Sequence, residues 1–262
     1  MEEPTMAEVV NAGVTQGGES GFCCPKPIRG FAVRITHLDE KCDRPVNVMT
    51  TRNSQISTAG FTSMGMSPDI EQGETFTKKL ANGDLCVNNN EDCDRLKGLT
   101  LSYMLCDIGP HSNELLMGAP MLDNPEGQIV GSGLPGLNFN GSCPPKSTIE
   151  IWSGNEDPGQ CDENGERYRY VRWILPKTFK WQLSSDVNIS NELMDWELSG
   201  YAENNPNWVS PYVAAGGVDP DLSEAAQEAI RTTIGPLAWV CTNEIPDLYE
   251  CNFSNAGDPV SA

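Results

Sequence analysis

The chain has 262 residues, with 37 Asp and Glu against 17 Lys and Arg and a formal net charge of −20. That length holds one large β domain or two small ones and buries enough surface to keep a core without cross-links. The charge excludes a generally basic nucleic-acid binder, whose affinity comes largely from neutralised phosphates, and the lack of about 18 consecutive apolar residues excludes a transmembrane helix.

Residues 1–27 are Gly- and Glu-rich, lack periodicity and end near Cys23-Cys24-Pro25, so they read as an arm. The opening MEEPTMAEVVNAG puts acids where a signal peptide carries basic residues and has no apolar stretch, which reads as a chain without an ordinary export signal. Phe31–Leu38 is the first predicted strand, with Phe31, Val33 and Ile35 on one face. A polar stretch follows, then a weaker strand over Ile56–Met64. Glu74–Leu80 and Leu85–Val87 flank Asn82-Gly83, a strong hairpin signal because both residues tolerate positive φ.

Leu99–Cys106 is a strand, and Pro110–Gly118 a short helix with Ser112 as N-cap and Gly118 as terminator. Asp123–Gly127 is a turn; Thr148–Ser153 and Tyr168–Leu175 are strands. From Phe179 the apolar residues Phe179, Trp181, Leu183, Val187 and Ile189 alternate with polar ones; after a turn at Ser190-Asn191, Met194, Trp196 and Leu198 do the same. Period two gives each strand one apolar and one wet face, and the pair makes a hairpin. Asp221–Ile234 suits a helix, with acids early and an Arg late, and Ala238–Ala262 reads as one more strand and a loose tail. Many strands, few helices and no βαβ alternation predict an all-β sandwich or barrel with a short flanking helix and extended arms.

Ten cysteines include no CxxC, and only His37 and His111 offer imidazole, so the pattern argues against zinc. Bridges at Cys86/Cys93, Cys143/Cys161 and Cys241/Cys251 would staple loop bases, and buried free thiols are the equal alternative. The scattered acids read first as solubility, and those of Asp157–Glu166 depart from the EF-hand spacing. Gly131-Ser-Gly133-Leu-Pro-Gly136 matches the dinucleotide fingerprint by letter, but Pro135 and the residues after it cannot open a helix on a pyrophosphate. There is no GxSxG, Walker loop or HExxH, and His37 alternates with Val33 and Ile35 as a sheet histidine would. Carboxylate pairs of the glycosidase kind stay open in principle, against a modest aromatic content of 7%. No cofactor, metal or catalytic residue is assigned, and the chain reads as no enzyme.

An ordered set of segments carries a resemblance. Phe31–Leu38 runs into Asp39-Glu40-Lys41-Cys42-Asp43-Arg44-Pro45-Val46; Gly73-Glu74 precedes the Asn82-Gly83-Asp84-Leu85-Cys86 hairpin; Leu99–Cys106 flows into Asn113-Glu114-Leu115-Leu116-Met117-Gly118. Asn124–Gly131, Ile149-Glu150-Ile151-Trp152-Ser153-Gly154, Leu175-Pro176, the hairpin with Asp186, Asn188 and Ile189, Leu198-Ser199-Gly200 and Asn207-Trp208 follow in order. In this order, over roughly residues 28–212, the chain resembles the major tail (tail tube) proteins of long-tailed bacteriophages, of the actinobacteriophage type.

The resemblance implies an N-terminal arm (1–27), a tail-tube β domain (28–212) and a C-terminal extension (213–262) that packs on the same domain or on a neighbouring subunit. It implies homo-hexameric rings that stack into a tube, whose negatively charged lumen passes genome DNA during ejection without binding it specifically. The partners implied are further copies and other tail proteins (tip or baseplate, tape measure, terminator), with no membrane anchor, in a virion assembled in the bacterial cytoplasm. Six copies would bring about 120 negative charges to a ring, and only those within about 8 Å of the lumen would act there. Asp186, Asp195 and Glu197, on the polar face of the late hairpin, are the lumen-facing candidates; Arg167, Arg169 and Arg172 are candidates for pairing with acids between subunits. Two alternatives stand beside this reading. One is another virion protein such as a capsid decoration protein. The other is a secreted disulfide-rich binding module, with sequons at Asn140, Asn188 and Asn252.

Overall fold

The computed structural model describes residues 26–46, 54–73, 75–79, 81, 85–91, 93–105, 109–134, 145–155, 168–184 and 196–248. The fold is all-β: an antiparallel sheet folded over as a sandwich, with a short helix at its side. Its first strand, β1 (Pro27–Leu38), lies between β2 (Gln55–Thr58) and a strand far along the chain, Lys146–Asn155. After β2 the chain turns at Ala59-Gly60, where Thr58 Oγ1 accepts the Gly60 N–H at 2.9 Å, and enters β3 (Phe61–Glu71). The weak strand expected over Ile56–Met64 is therefore two strands with different neighbours. The polar turn explains the break: the chain leaves β1 and pairs instead with β6 (Arg95–Leu105).

Between β3 and β6 sits the hairpin signalled by Asn82-Gly83, namely β4 (Thr75–Lys79) paired with β5 (Leu85–Glu91); its turn lies outside the described residues. Helix α1 (Pro110–Met117) follows and ends on Gly118 at φ 70, the left-handed C-cap its sequence promised. Its N-cap is Gly109 without a side-chain bond; Ser112, expected there, is buried inside the helix because Pro110 already opens the first turn. β7 (Met121–Asp123) and β8 (Ile129–Ser132) form a small hairpin around Asn124, whose Oδ1 accepts from the Glu126 and Gln128 amides. Gly131 lies in β8 at the start of the dinucleotide-like letters, and residues 135–144 lie outside the described set.

β9 (Lys146–Asn155) then pairs with β1 on one side and β10 (Tyr170–Leu183) on the other. β10 unites two stretches read separately from sequence, and it changes neighbours at Pro176, which has no N–H to give. Before Pro176 it pairs with β12 (Ala238–Thr242); after it, with β11 (Trp196–Glu203). The order β2-β1-β9-β10-β11-β6-β3 thus has two halves hinged on β10. Val33, Ile35, Ile149 and Ile151 of the first half share one core with Leu99, Leu101, Tyr103, Leu105, Trp181 and Leu198 of the second. Leu115, Leu116 and Met117 of α1 join that core.

The alternation expected from Phe179 onward fails at one residue. Phe179 pairs with Tyr201 and Gln182 with Ser199, so three residues of β10 span two of β11: a bulge at Lys180, whose φ is 58. The bulge inverts the parity. Trp181 turns into the core, whereas Phe179 stays on the outer face against Tyr201, ring centres 5.6 Å apart.

The first half of the sheet is buried on both faces, which is why β9 is buried at every position but its ends. Its outer cover is the segment after β11: α2 (Pro211–Ala214), not expected from sequence, and α3 (Glu224–Thr232), capped by Ser223, with Glu224 in its first turn and Arg231 in its last. Trp208 and Ile230 from this segment pack with Ile174 of β10 and Ala238 of β12 as a second core.

Candidate functional site

Two features of the molecule hold its notable chemistry. The first is a buried cluster beneath α2. On the outer face of the first half-sheet, cross-strand register sets Arg34 opposite Glu150, and Trp152 opposite Arg172. Arg34 Nε donates to Glu150 Oε2 at 2.5 Å, and Arg172 Nε to Glu150 Oε1 at 2.9 Å, so one carboxylate is shared by two guanidiniums. Arg172 also makes a two-pronged contact with Asp219, 2.9 Å on each side, and reaches Asp221 at 3.2 Å. Tyr212 of α2 covers both cations, 4.1 Å from Arg34 and 5.0 Å from Arg172.

Ser210 closes the arrangement: it caps α2 by accepting the Tyr212 amide and donates its hydroxyl to Asp219. Asp219 Oδ1 in turn accepts the Asp221 and Leu222 amides at 3.0 Å each. Burial pushes Asp219 up, but the bonds and charge of Arg172, with Ser210, outweigh it and hold the carboxyl below its ordinary range. Burial dominates at Asp221, which is held above that range. Burial opposes the charge of Arg172, yet Glu150 and Asp219 together raise its pKa further. The charged groups are spent on one another, and the arrangement presents no free base or nucleophile. Chemically it ties residues 205–221 to the sheet.

The second feature is the face of the other half-sheet, β10-β11-β6-β3, that no element among the described residues covers. Its register brings Ser63, Met104 and Glu197 into one row, Gly65, Ser102, Ser199 and Gln182 into the next, and Ser67, Thr100, Tyr201 and Phe179 into a third. Tyr201 lies across Gly98, where a Cβ would come within 2.7 Å of its ring, and donates its hydroxyl to Asp69 at 2.8 Å. That bond, more than burial, pushes the Tyr201 pKa up to about 12. Lys177 is held by Asp43 at 2.8 Å and Glu203 at 2.6 Å, and Lys146 joins Asp43 at 2.7 Å. Burial opposes the charged forms, yet these partners hold Asp43 low and Lys177 high.

Both edges of this half-sheet lack a partner strand among the described residues. β3 pairs only with β6, and β10 beyond Thr178 pairs only with β11. β3 is 11 residues long, a length of open edge that an isolated molecule usually shortens or covers.

Of the lumen candidates, Glu197 sits on the uncovered face, half-buried, and accepts from Ser102 Oγ at 3.2 Å. Asp186 and Asp195 lie outside the described residues, as do the Ser190-Asn191 turn and Arg167. Arg169 is exposed beside the start of β10. Arg172 corrects the sequence expectation: it is wholly buried and its ion pairs are with acids of its own chain, so its guanidinium has nothing left for a neighbour. The signal missed was Glu150, an acid set between Ile149 and Ile151 that had to be paired if buried. Cys93 is a free exposed thiol, which removes the Cys86/Cys93 bridge. Cys42 is also free, and Cys241 is disulfide-bonded; Cys251, its expected partner, lies outside the described residues. Cys143/Cys161 lies outside them too.

Among the described residues no group of three His, Cys, Asp or Glu stands where it could hold a metal ion, and no helix is long and apolar enough to cross a membrane. No protein-family model matches the chain, and no curated protein matches it. Two solved structures are similar in part. One is the tube-terminating cap of the anti-feeding prophage, at 16% identity over 69% of this chain and 90% of that one, with a TM-score of 0.28. The other is from the baseplate of the same particle, at 12% identity over 67% and 91%, with a TM-score of 0.25. Likenesses this slight do not bear on what the chain does.

Proposed function

We propose that the chain is a structural subunit of a phage tail tube, forming stacked hexameric rings around an acidic lumen for DNA passage. The observation that carries this reading is the half-sheet β10-β11-β6-β3, antiparallel throughout and, among the described residues, bare on one face and open at both edges. Because it has four strands, β3 runs opposite to β10. A copy placed with its β10 beside the β3 of the last keeps the antiparallel direction of the strands. Contacts of this head-to-tail kind close into rings when the rotation allows, and each open edge becomes a joint.

The bare face suits a bore. Its serines, threonine and glycines are short, Asp69 and Glu197 stand on it, and Lys177 is held by Asp43 and Glu203, which leaves Lys180 at the β10 edge as its cation without an ion pair among the described residues. Such a wall offers few groups that hold phosphates, whereas a basic wall would bind duplex DNA. The chain then works with other tail proteins in the virion, as a non-enzymatic component. Asp195→Lys with Glu197→Lys tests the lumen assignment in a tailed particle. Intact tubes with slowed DNA ejection support it; intact tubes with ejection at the normal rate remove it.

A further inference from the structure

The two open edges of the bare half-sheet differ in charge. At the β10 edge, the bulge lifts Lys180 onto the outer face in a left-handed conformation that a residue with a side chain adopts at a cost. Bulges of this shape favour glycine at that position. The Lys180 ammonium sits 5.2 Å from the Phe179 ring and 5.8 Å from the Tyr201 ring, and makes no ion pair among the described residues. Its neighbour Lys177 is already spent on Asp43 and Glu203. At the β3 edge, across four strands, stands Asp69. Its Oδ2 takes the Tyr201 hydroxyl, and its Oδ1 accepts no hydrogen bond among the described residues.

Tyr201 connects the two ends: it bonds Asp69 on one side and underlies Lys180 on the other. The sheet register puts Phe179, Tyr201, Thr100 and Ser67 in one row, with Lys180 and Asp69 next to opposite ends of it. Each copy therefore carries a cation at one edge and a carboxylate at the other, offset along the strands: Lys180 lies beyond Phe179 toward the Gln182 row and Asp69 beyond Ser67 toward Gly98, so the two face each other across a staggered joint.

We propose that Lys180 of one copy pairs with Asp69 of a second copy across the β10–β3 joint, and that this ion pair sets the register of the ring. This inference rests on the tube reading, which makes the second copy the occupant of each edge. Strand edges alone permit slippage, since a slip by two residues keeps the same face outward. One charge pair along the joint marks a single register, and a wrong register leaves both charges unmatched.

The test is the concentration at which the purified full-length chain assembles, read by sedimentation and electron microscopy, for wild type, Lys180→Glu, Asp69→Lys and the double swap. Like charges facing across an interface cost enough to raise the threshold of each single variant by about tenfold or more, and the double swap returns it toward wild type. Lys180→Gln and Asp69→Asn, which remove charge without reversing it, raise the threshold less and guard against a misfolded single variant; circular dichroism checks the fold of all five. Wild-type tubes with single variants that assemble as readily, or a double swap no better than the singles, overturn the pairing and leave the tube reading standing. A wild type that never assembles, either alone or in the presence of preformed tail tips, overturns both.

Discussion

Arg172 on β10 and Asp219, 47 residues later, meet through two parallel contacts of 2.9 Å, with neither side chain exposed to solvent. Such a pair, once buried, makes each partner dependent on the other: removing one leaves an unpaired charge in a low-dielectric interior. Arg172→Met keeps the volume and strands both Glu150 and Asp219. We expect it to lower the unfolding free energy by about 3–5 kcal/mol, measured by urea denaturation, with residues 205–242 losing amide-exchange protection first. A loss below about 1 kcal/mol would mean the cluster does not hold the segment.

Acid should loosen the same tie. Asp219 is held below its ordinary range, so its contribution is present above the unfolded pKa of about 3.9 and is lost as pH falls through the lower folded value. Asp221, held high, acts in the opposite sense. Asp219→Asn should therefore flatten the acid limb of the stability curve, measured by thermal melts from neutral pH downward. A variant with the same acid limb as wild type contradicts the assignment.

Tyr201 offers a spectroscopic readout of the bare face. Its pKa is pushed up to about 12 chiefly because its hydroxyl donates to Asp69. In Asp69→Asn, ultraviolet titration should show one tyrosine moving down toward 10. No change would mean the hydroxyl does not bond Asp69 in solution.

Gly98 is set by close approach. A methyl group there would meet the Tyr201 ring at 2.7 Å, and Tyr201 is anchored by its bond to Asp69. Gly98→Ala should cost about 1–3 kcal/mol, the usual range for overpacking. Gly127→Ala, where no atom lies within 4 Å but φ is 79, should cost less and through backbone strain alone. Equal melting temperatures for Gly98→Ala and wild type would contradict the packing.

Much of this fold is legible in the sequence because local rules and burial agree. Val33 and Ile35 alternate and are buried; Gly118 ends α1 and adopts positive φ; Ser223 and Arg231 bracket α3. Sequence reading fails where tertiary contacts decide. Nothing local announces the bulge at Lys180, which trades an αL residue for the burial of Trp181 against Gly200. The second face of β9 was also hidden, because a strand covered on both sides loses the alternation that marks one. The role of Arg172 followed from that: three arginines close in sequence look alike until Asp219 is brought to one of them. Glu197 was legible because β11 keeps an unbroken period of two.

Electron microscopy of the purified chain across a concentration series tests the tail-tube reading most directly. The account predicts rings or stacked hollow tubes that lengthen as concentration rises, with the β10-β11-β6-β3 face toward the bore. Monomers at every concentration, both alone and in the presence of preformed tail tips, would contradict it.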